Sequence, residues 1–202
     1  MGRYAKEPDE SDYPKVPVGT HLGICYRIID LGTHHDEYEG KKTVRSRVLV
    51  SWEIPAELME DGRPFSISEF YTNSLGERAK LRAHLSAWRG RDFTKDELAR
   101  FDLVNILDKP ALINVGRSEK GREKVVSVVA IPKGTVVPTR FNPLQTFFID
   151  EWDDAIFSQV PEGIQKIIKQ SDEYKALKNG NRPESDPDDN LGPESDEDRP
   201  PF

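Results

Sequence analysis

A single cysteine, Cys25, stands among the 202 residues, so no disulfide can form within the chain. A reducing, intracellular setting is the expectation that follows. Its neighbours Leu22, Gly23, Ile24 and Ile28 are mostly apolar, which reads Cys25 as a small buried strand residue rather than a reactive thiol. No run of about 18 apolar residues occurs, so no membrane-spanning helix is predicted. The start, Met1-Gly-Arg-Tyr4, leads into polar residues and lacks the apolar stretch of a secretory signal. A soluble, cytoplasmic protein is expected.

Catalytic constellations are also lacking. The four histidines, His21, His34, His35 and His84, fall in no metal-ligand spacing with one another or with Cys25. No phosphate-binding glycine loop, dinucleotide fingerprint or nucleophile elbow occurs. An enzyme is therefore not expected, and no cofactor or metal is called for.

What is abundant is charge. Charged residues make up 32% of the chain and apolar ones only 36%, enough for one core with part of the chain left in water. The net charge is −7, but it is unevenly spread. Residues 179–202 hold eight acids against Arg182 and Arg199, leaving a net of about −1 for everything before them. Between Lys41 and Val125, 17 Lys and Arg outnumber 13 Asp and Glu. A mildly basic body with an acidic tail is the asymmetry of a nucleic-acid binder.

Periodicity divides the chain further. Residues 1–15 read as a flexible arm. Strands are predicted over Val18–Asp30, Lys42–Ile54 and Phe65–Thr72, with Gly32–Gly40 as a polar loop and Asp61-Gly62 as a turn. Ser74-Leu-Gly-Glu77 has the form of a capping box opening a helix to Gly90, and Thr94-Lys-Asp-Glu97 opens a shorter one to Phe101. Strands then return over Pro110–Val115 and Lys124–Ile131. Five strands with a helix between the third and fourth follow the chain order of an OB-fold, a five-stranded barrel that commonly binds oligonucleotides, and the long first strands suit one that bends to pair twice. A small β-sandwich is the competing reading. The assignment is thus a mainly β protein with helical additions: an OB-type domain over 16–149, a helical extension over 150–178 that caps the barrel or joins copies into a homo-oligomer, and a disordered tail over 179–202. In the extension Ile164, Ile167, Ile168 and Leu177 make an apolar face.

Four sets of residues carry the functional expectation. Strand alternation puts Arg45 and Arg47 on one face and Val44, Val48, Val50 and Trp52 on the other, so the arginines can meet phosphates while Trp52 goes to the core. Arg78 and Arg82 share a helix face. The stretch Trp88-Arg-Gly-Arg-Asp-Phe93 interleaves Arg89 and Arg91 with two aromatics, the pairing that holds a backbone and stacks bases. The same cations also suit a helix C-terminus, and Trp88 also suits a core. Arg117, Lys120, Arg122 and Lys124 lie on or beside a hairpin that closes over nucleic acid in many OB-folds. Tyr26, Phe65, Phe70 and Tyr71 are strand aromatics, some of them core; Tyr71, at the polar strand end, is the stacking candidate.

The tail holds five prolines and only Leu191 and Phe202 as large apolar side chains, too little to offset ordering entropy. Its ending, Asp196-Glu-Asp-Arg-Pro-Pro-Phe202, reads as a peptide ligand: Phe202 enters a pocket while Asp196, Glu197 and Asp198 meet basic residues and Pro200 and Pro201 stiffen the approach. This ending resembles that of bacterial single-stranded DNA-binding proteins, whose acidic tails close on Pro-Phe and dock replication and repair enzymes. Arg199 and Pro200 depart from that pattern. The body, from Phe70-Tyr-Thr-Asn-Ser-Leu-Gly-Glu-Arg-Ala-Lys-Leu81 through Trp88-Arg-Gly-Arg-Asp-Phe-Thr94 to Phe101-Asp-Leu103, resembles phage and prophage proteins of the same kind. The resemblance implies sequence-independent binding of single-stranded DNA in phage replication, recombination or repair inside a bacterial host, with partner enzymes recruited by the tail. A protein-only adaptor that docks through its tail without binding DNA is the alternative.

Overall fold

The computed structural model describes residues 14–38 and 40–180. Three antiparallel strands open the fold: β1 (Gly19–Tyr38), β2 (Lys41–Leu58) and β3 (Pro64–Thr72). Helix α1 (Lys80–Arg89), helix α2 (Lys95–Arg100) and a 3-10 turn (Leu103–Ile106) follow, then β4 (Pro110–Arg117) and β5 (Glu123–Val129). The short β6 (Gln145–Phe147) precedes helices α3 (Asp154–Gln159), α4 (Glu162–Ile168) and α5 (Asp172–Lys178). The protein is mainly β, with one six-stranded sheet in the order β3-β2-β1-β4-β5 and β6 running parallel to Arg27–Ile29 of β1. β1 pairs with β2 over most of its length, while its first residues, Gly19–Ile24, also pair with β4.

Alternation explains the two cores. Val48, Val50, Trp52 and Ile54 of β2 face inward with Ile67 and Tyr71 of β3, Ile113 and Val115 of β4, and Leu81, Leu85 and Trp88 of α1. The opposite phase buries Ile29, Leu31 and Leu49 under Phe147, Phe157, Val160 and Ile168. The helical extension therefore packs on the outer face of the sheet. Ile168 is buried, and Ile164 and Ile167 are packed against this second cluster.

The sheet is not closed by a strand ladder between β3 and β5. Side chains span the gap instead. Glu69 of β3 accepts from the Val125 amide of β5 at 3.1 Å, and Lys80 donates to Glu69 at 2.8 Å and to the Val125 carbonyl at 3.1 Å. Beneath them His84 Nδ1 and the Tyr71 hydroxyl are hydrogen bonded at 2.8 Å. Burial, and then the charge of Lys80, hold His84 below the ordinary histidine value. The unfolded chain thus takes up the proton first, so this stabilisation is complete above about pH 6.5 and declines as pH falls through the lower folded value. A thermal melt series from pH 7.5 to 5 should show the decline, flattened in His84→Gln; an equal slope in that variant would remove His84 as its source.

Several boundaries differ from the sequence expectations. Gly32–Gly40 is not a loop: β1 runs on to Tyr38, opposite Lys41–Arg47. Both faces of this two-stranded ribbon meet polar groups, so it carries no apolar alternation to read. Gly32 has φ +74 and sits at a register shift, where a Cβ would stand 2.5 Å from the Ser171 side chain. The adjoining Thr33 donates from its amide and hydroxyl to Glu173 at 2.7 and 2.6 Å, which fixes α5 there. The Ser74 box does not form. Its hydroxyl takes the Gly76 amide in a tight turn, and α1 starts only after Ala79 with no side-chain cap. The Thr94–Glu97 box forms as expected. The helical extension is broken between α4 and α5, because the buried Ser171 caps α5.

Candidate nucleic-acid interface

The outer phase of β3 reads Ser66, Ser68, Phe70, Thr72, and all four are exposed. Phe70 lies opposite Leu49 and leaves 48% of its surface in water. It borders a groove of about 740 Å³ whose walls include Arg45, Thr72, Ser74, Glu77, Arg78 and Lys80. Arg45 reaches it from the end of β2, Arg78 from the turn before α1. Both are exposed, and neither has an ion-pair partner among the described residues. An apolar ring beside two uncompensated guanidinium groups can stack a base and neutralise its flanking phosphates.

Tyr71, the residue expected to stack, borders the same groove, but its side chain belongs to the core. It pairs with Val48, is 3% exposed, and burial raises its phenol far above the usual range. Phe70 is the exposed ring of this strand instead. The signal was present in the sequence: Phe65, Ile67 and Tyr71 share one parity, and Phe70 stands among Ser66, Ser68 and Thr72 on the other.

The Trp88–Phe93 stretch is likewise turned inward at its start. Trp88 is 3% exposed, lies 6.0 Å from Trp52 between ring centres, and donates to the Pro110 carbonyl at 2.7 Å. Trp52 is core, as expected. The Arg89 side chain is 2% exposed. Its guanidinium lies over Phe93 at 4.5 Å and Phe101 at 5.2 Å and pairs with Glu97. Neither Trp88 nor Arg89 can touch a ligand from there. Arg91 is exposed but bonded twice to the same carboxylate, at 2.7 and 2.9 Å. With Arg82, which donates to the Leu75 carbonyl, it borders a second groove of about 700 Å³ that also contains Glu77 and Asp92. Its mixed charge suits a polyanion less well than the Phe70 groove.

Arg47 is half-buried and paired with Asp36, so it does not share the freedom of Arg45. Arg117, Lys120, Arg122 and Lys124 are exposed on the β4–β5 hairpin, where Arg117 also donates to the Gly121 carbonyl at 3.3 Å. None of the four lines either groove. The tail residues Asp196, Glu197, Asp198, Pro200, Pro201 and Phe202 lie outside the described residues. Among the described residues no group of three or more His, Cys, Asp or Glu is placed to hold a metal, and no helix is long and apolar enough to cross a membrane. No family model and no curated protein matches the chain.

Proposed function

We propose that the chain binds single-stranded DNA without sequence preference, through the outer face of β3 and the adjoining start of β2 around Arg45, and serves phage DNA replication, recombination or repair in the cytoplasm of a bacterial host. The observation that carries this reading is the groove in which the exposed Phe70 ring stands beside Arg45 and Arg78. A ring accepts any base, and cations hold the backbone whatever the sequence. Support for an OB-type barrel comes from β1 shared between β2 and β4, from α1 placed between the third and fourth strands, and from Glu69 and Lys80 spanning the β3–β5 gap. The hairpin cations form a second basic edge for the strand to follow.

The sequence of the tail adds the partner. Asp196–Phe202 is proposed to dock replication or repair enzymes, as the resemblance to bacterial single-stranded DNA-binding proteins implies. The protein acts in this reading as a coat and a recruiter, not as an enzyme.

A titration with a labelled oligo-dT, repeated over a salt series and with an RNA control, tests the proposal. Affinity should fall with salt, with a logarithmic slope of about −0.7 for each phosphate neutralised. The adaptor alternative has tail docking without DNA affinity, and the same titration separates the two.

A further inference from the structure

We infer that the segment between β5 and β6 forms the second wall of this binding face and that Phe141 is its second base-stacking platform. The inference rests on the single-stranded DNA reading and extends it to a residue that the groove around Phe70 does not include.

Glu53 is the starting point. It is a glutamate with 0% exposure, on the outer phase of β2, two positions past Ser51 and four past Leu49. A buried carboxylate is costly unless its oxygens are filled. Here they accept the Phe141 amide at 2.7 Å, the Asn142 amide at 2.7 Å and the Asn142 side-chain amide at 2.8 Å. Arg140, one residue earlier, donates to Asp108 at 2.9 Å and to the Asn142 carbonyl. Phe141 and Asn142 are thus fixed to the sheet, and Arg140 to the turn before β4. Yet the Phe141 side chain is 63% exposed. An apolar ring held in water by a desolvated carboxylate gains nothing for the core. The arrangement makes sense if the ring is to be covered by something else.

Its position says what. Glu53 pairs with Ser66, and Leu49 pairs with Phe70. The Phe141 anchor and Phe70 are therefore four residues apart along the same outer face, about 13 Å at strand spacing. Between them lie the exposed Ser66 and Ser68, with no carboxylate on that strip of β3. Beyond Phe70 stand Arg45 and Arg78. Two rings separated by hydroxyls and ending on cations fit a single strand whose bases face the sheet, with short polar side chains between the stacking points. A protein partner would need a continuous apolar patch, and the serines interrupt one.

Phe141→Ala and Phe141→Trp in the full chain decide the matter, titrated with a fluorescein-labelled dT20 beside Phe70→Ala. Phe141→Ala should weaken binding roughly 5- to 100-fold with an unchanged salt slope, because every cation that meets a phosphate is still present. Phe141→Trp should bind within a factor of about two of the original, and its added indole emission should be quenched by dT20, a readout that a purely structural role would not move. If Phe141→Ala binds as tightly as the unaltered chain while Phe70→Ala is weakened, this inference is overturned and the parent reading stands. If the unaltered chain does not bind dT20, both fall.

Discussion

Replacing Glu97 with alanine should cost roughly 3–5 kcal/mol of folding stability, read from urea denaturation of the full chain. The reason is Arg89. Its side chain is 2% exposed, and Nε and Nη1 have no hydrogen-bond partner among the described residues. Glu97 is the one anion bonded to it in that set, and the flanking Phe93 and Phe101 rings supply only a partial counter-charge. Removing the carboxylate leaves a buried guanidinium unpaired, which costs far more than losing a surface pair. The same change ends the capping box, since Glu97 also accepts the Thr94 amide at 2.9 Å. Arg91→Ala is the control. That side chain is 41% exposed, and its loss should cost far less than the loss of Glu97. The bond from Arg91, then the Thr94 amide, and more weakly Arg89, hold the Glu97 carboxyl well below the usual carboxylate range. Its contribution is therefore complete above the ordinary glutamate value near 4.3 and is lost as pH falls below it. A Glu97→Ala variant within 1 kcal/mol of the original would mean that Arg89 reaches water and that α2 does not seal it.

Phe70→Ala should weaken oligo-dT binding about tenfold or more while leaving stability nearly unchanged, because the ring is half in water and belongs to neither core cluster. Tyr71→Phe gives the opposite pattern. It strands His84 Nδ1 without its 2.8 Å partner, so it should lower stability by about 1–3 kcal/mol and leave the DNA affinity of the folded chain as it was. The contrast between neighbours tests the strand phase as well as the site. Loss of affinity in Tyr71→Phe, with none in Phe70→Ala, would place the binding face on the other side of the sheet.

Much of this architecture was legible in the chain. Strands β1 to β5, apart from their ends, and α2 follow from alternation and from Thr94–Glu97, whose spacing encodes its own hydrogen bonds; β6 was not expected. Arg45 follows from strand parity; Arg78 does not, since helical spacing pairs it with Arg82 whereas α1 begins only at Lys80 and leaves Arg78 in the turn before it. Other features depend on partners far away in sequence. Nothing local says that β1 continues through Gly32 to Tyr38; that follows from its pairing with Lys41–Arg47 of β2, and Glu173, more than a hundred residues on, bonds Thr33 within it. Basic and aromatic residues together at Trp88–Phe93 resemble a binding stretch, yet the same atoms satisfy one another around Glu97. Composition cannot tell an arginine that serves phosphate from one that serves a neighbouring carboxylate. Glu53 is the converse case, a surface residue by type that is fully buried because the amides of Phe141 and Asn142 fill its oxygens.

Single-stranded DNA binding at this face is tested most directly by one titration: dT20 against the full chain, from 50 to 400 mM salt, followed by fluorescence anisotropy. Binding should be measurable at the low end and should weaken steeply and linearly on logarithmic axes. The slope should shrink by about 0.7 for each phosphate that Arg45→Ala or Arg78→Ala leaves without its cation. Anisotropy that does not move at 50 mM salt, or binding indifferent to salt and to both arginines, would contradict single-stranded DNA binding at this face.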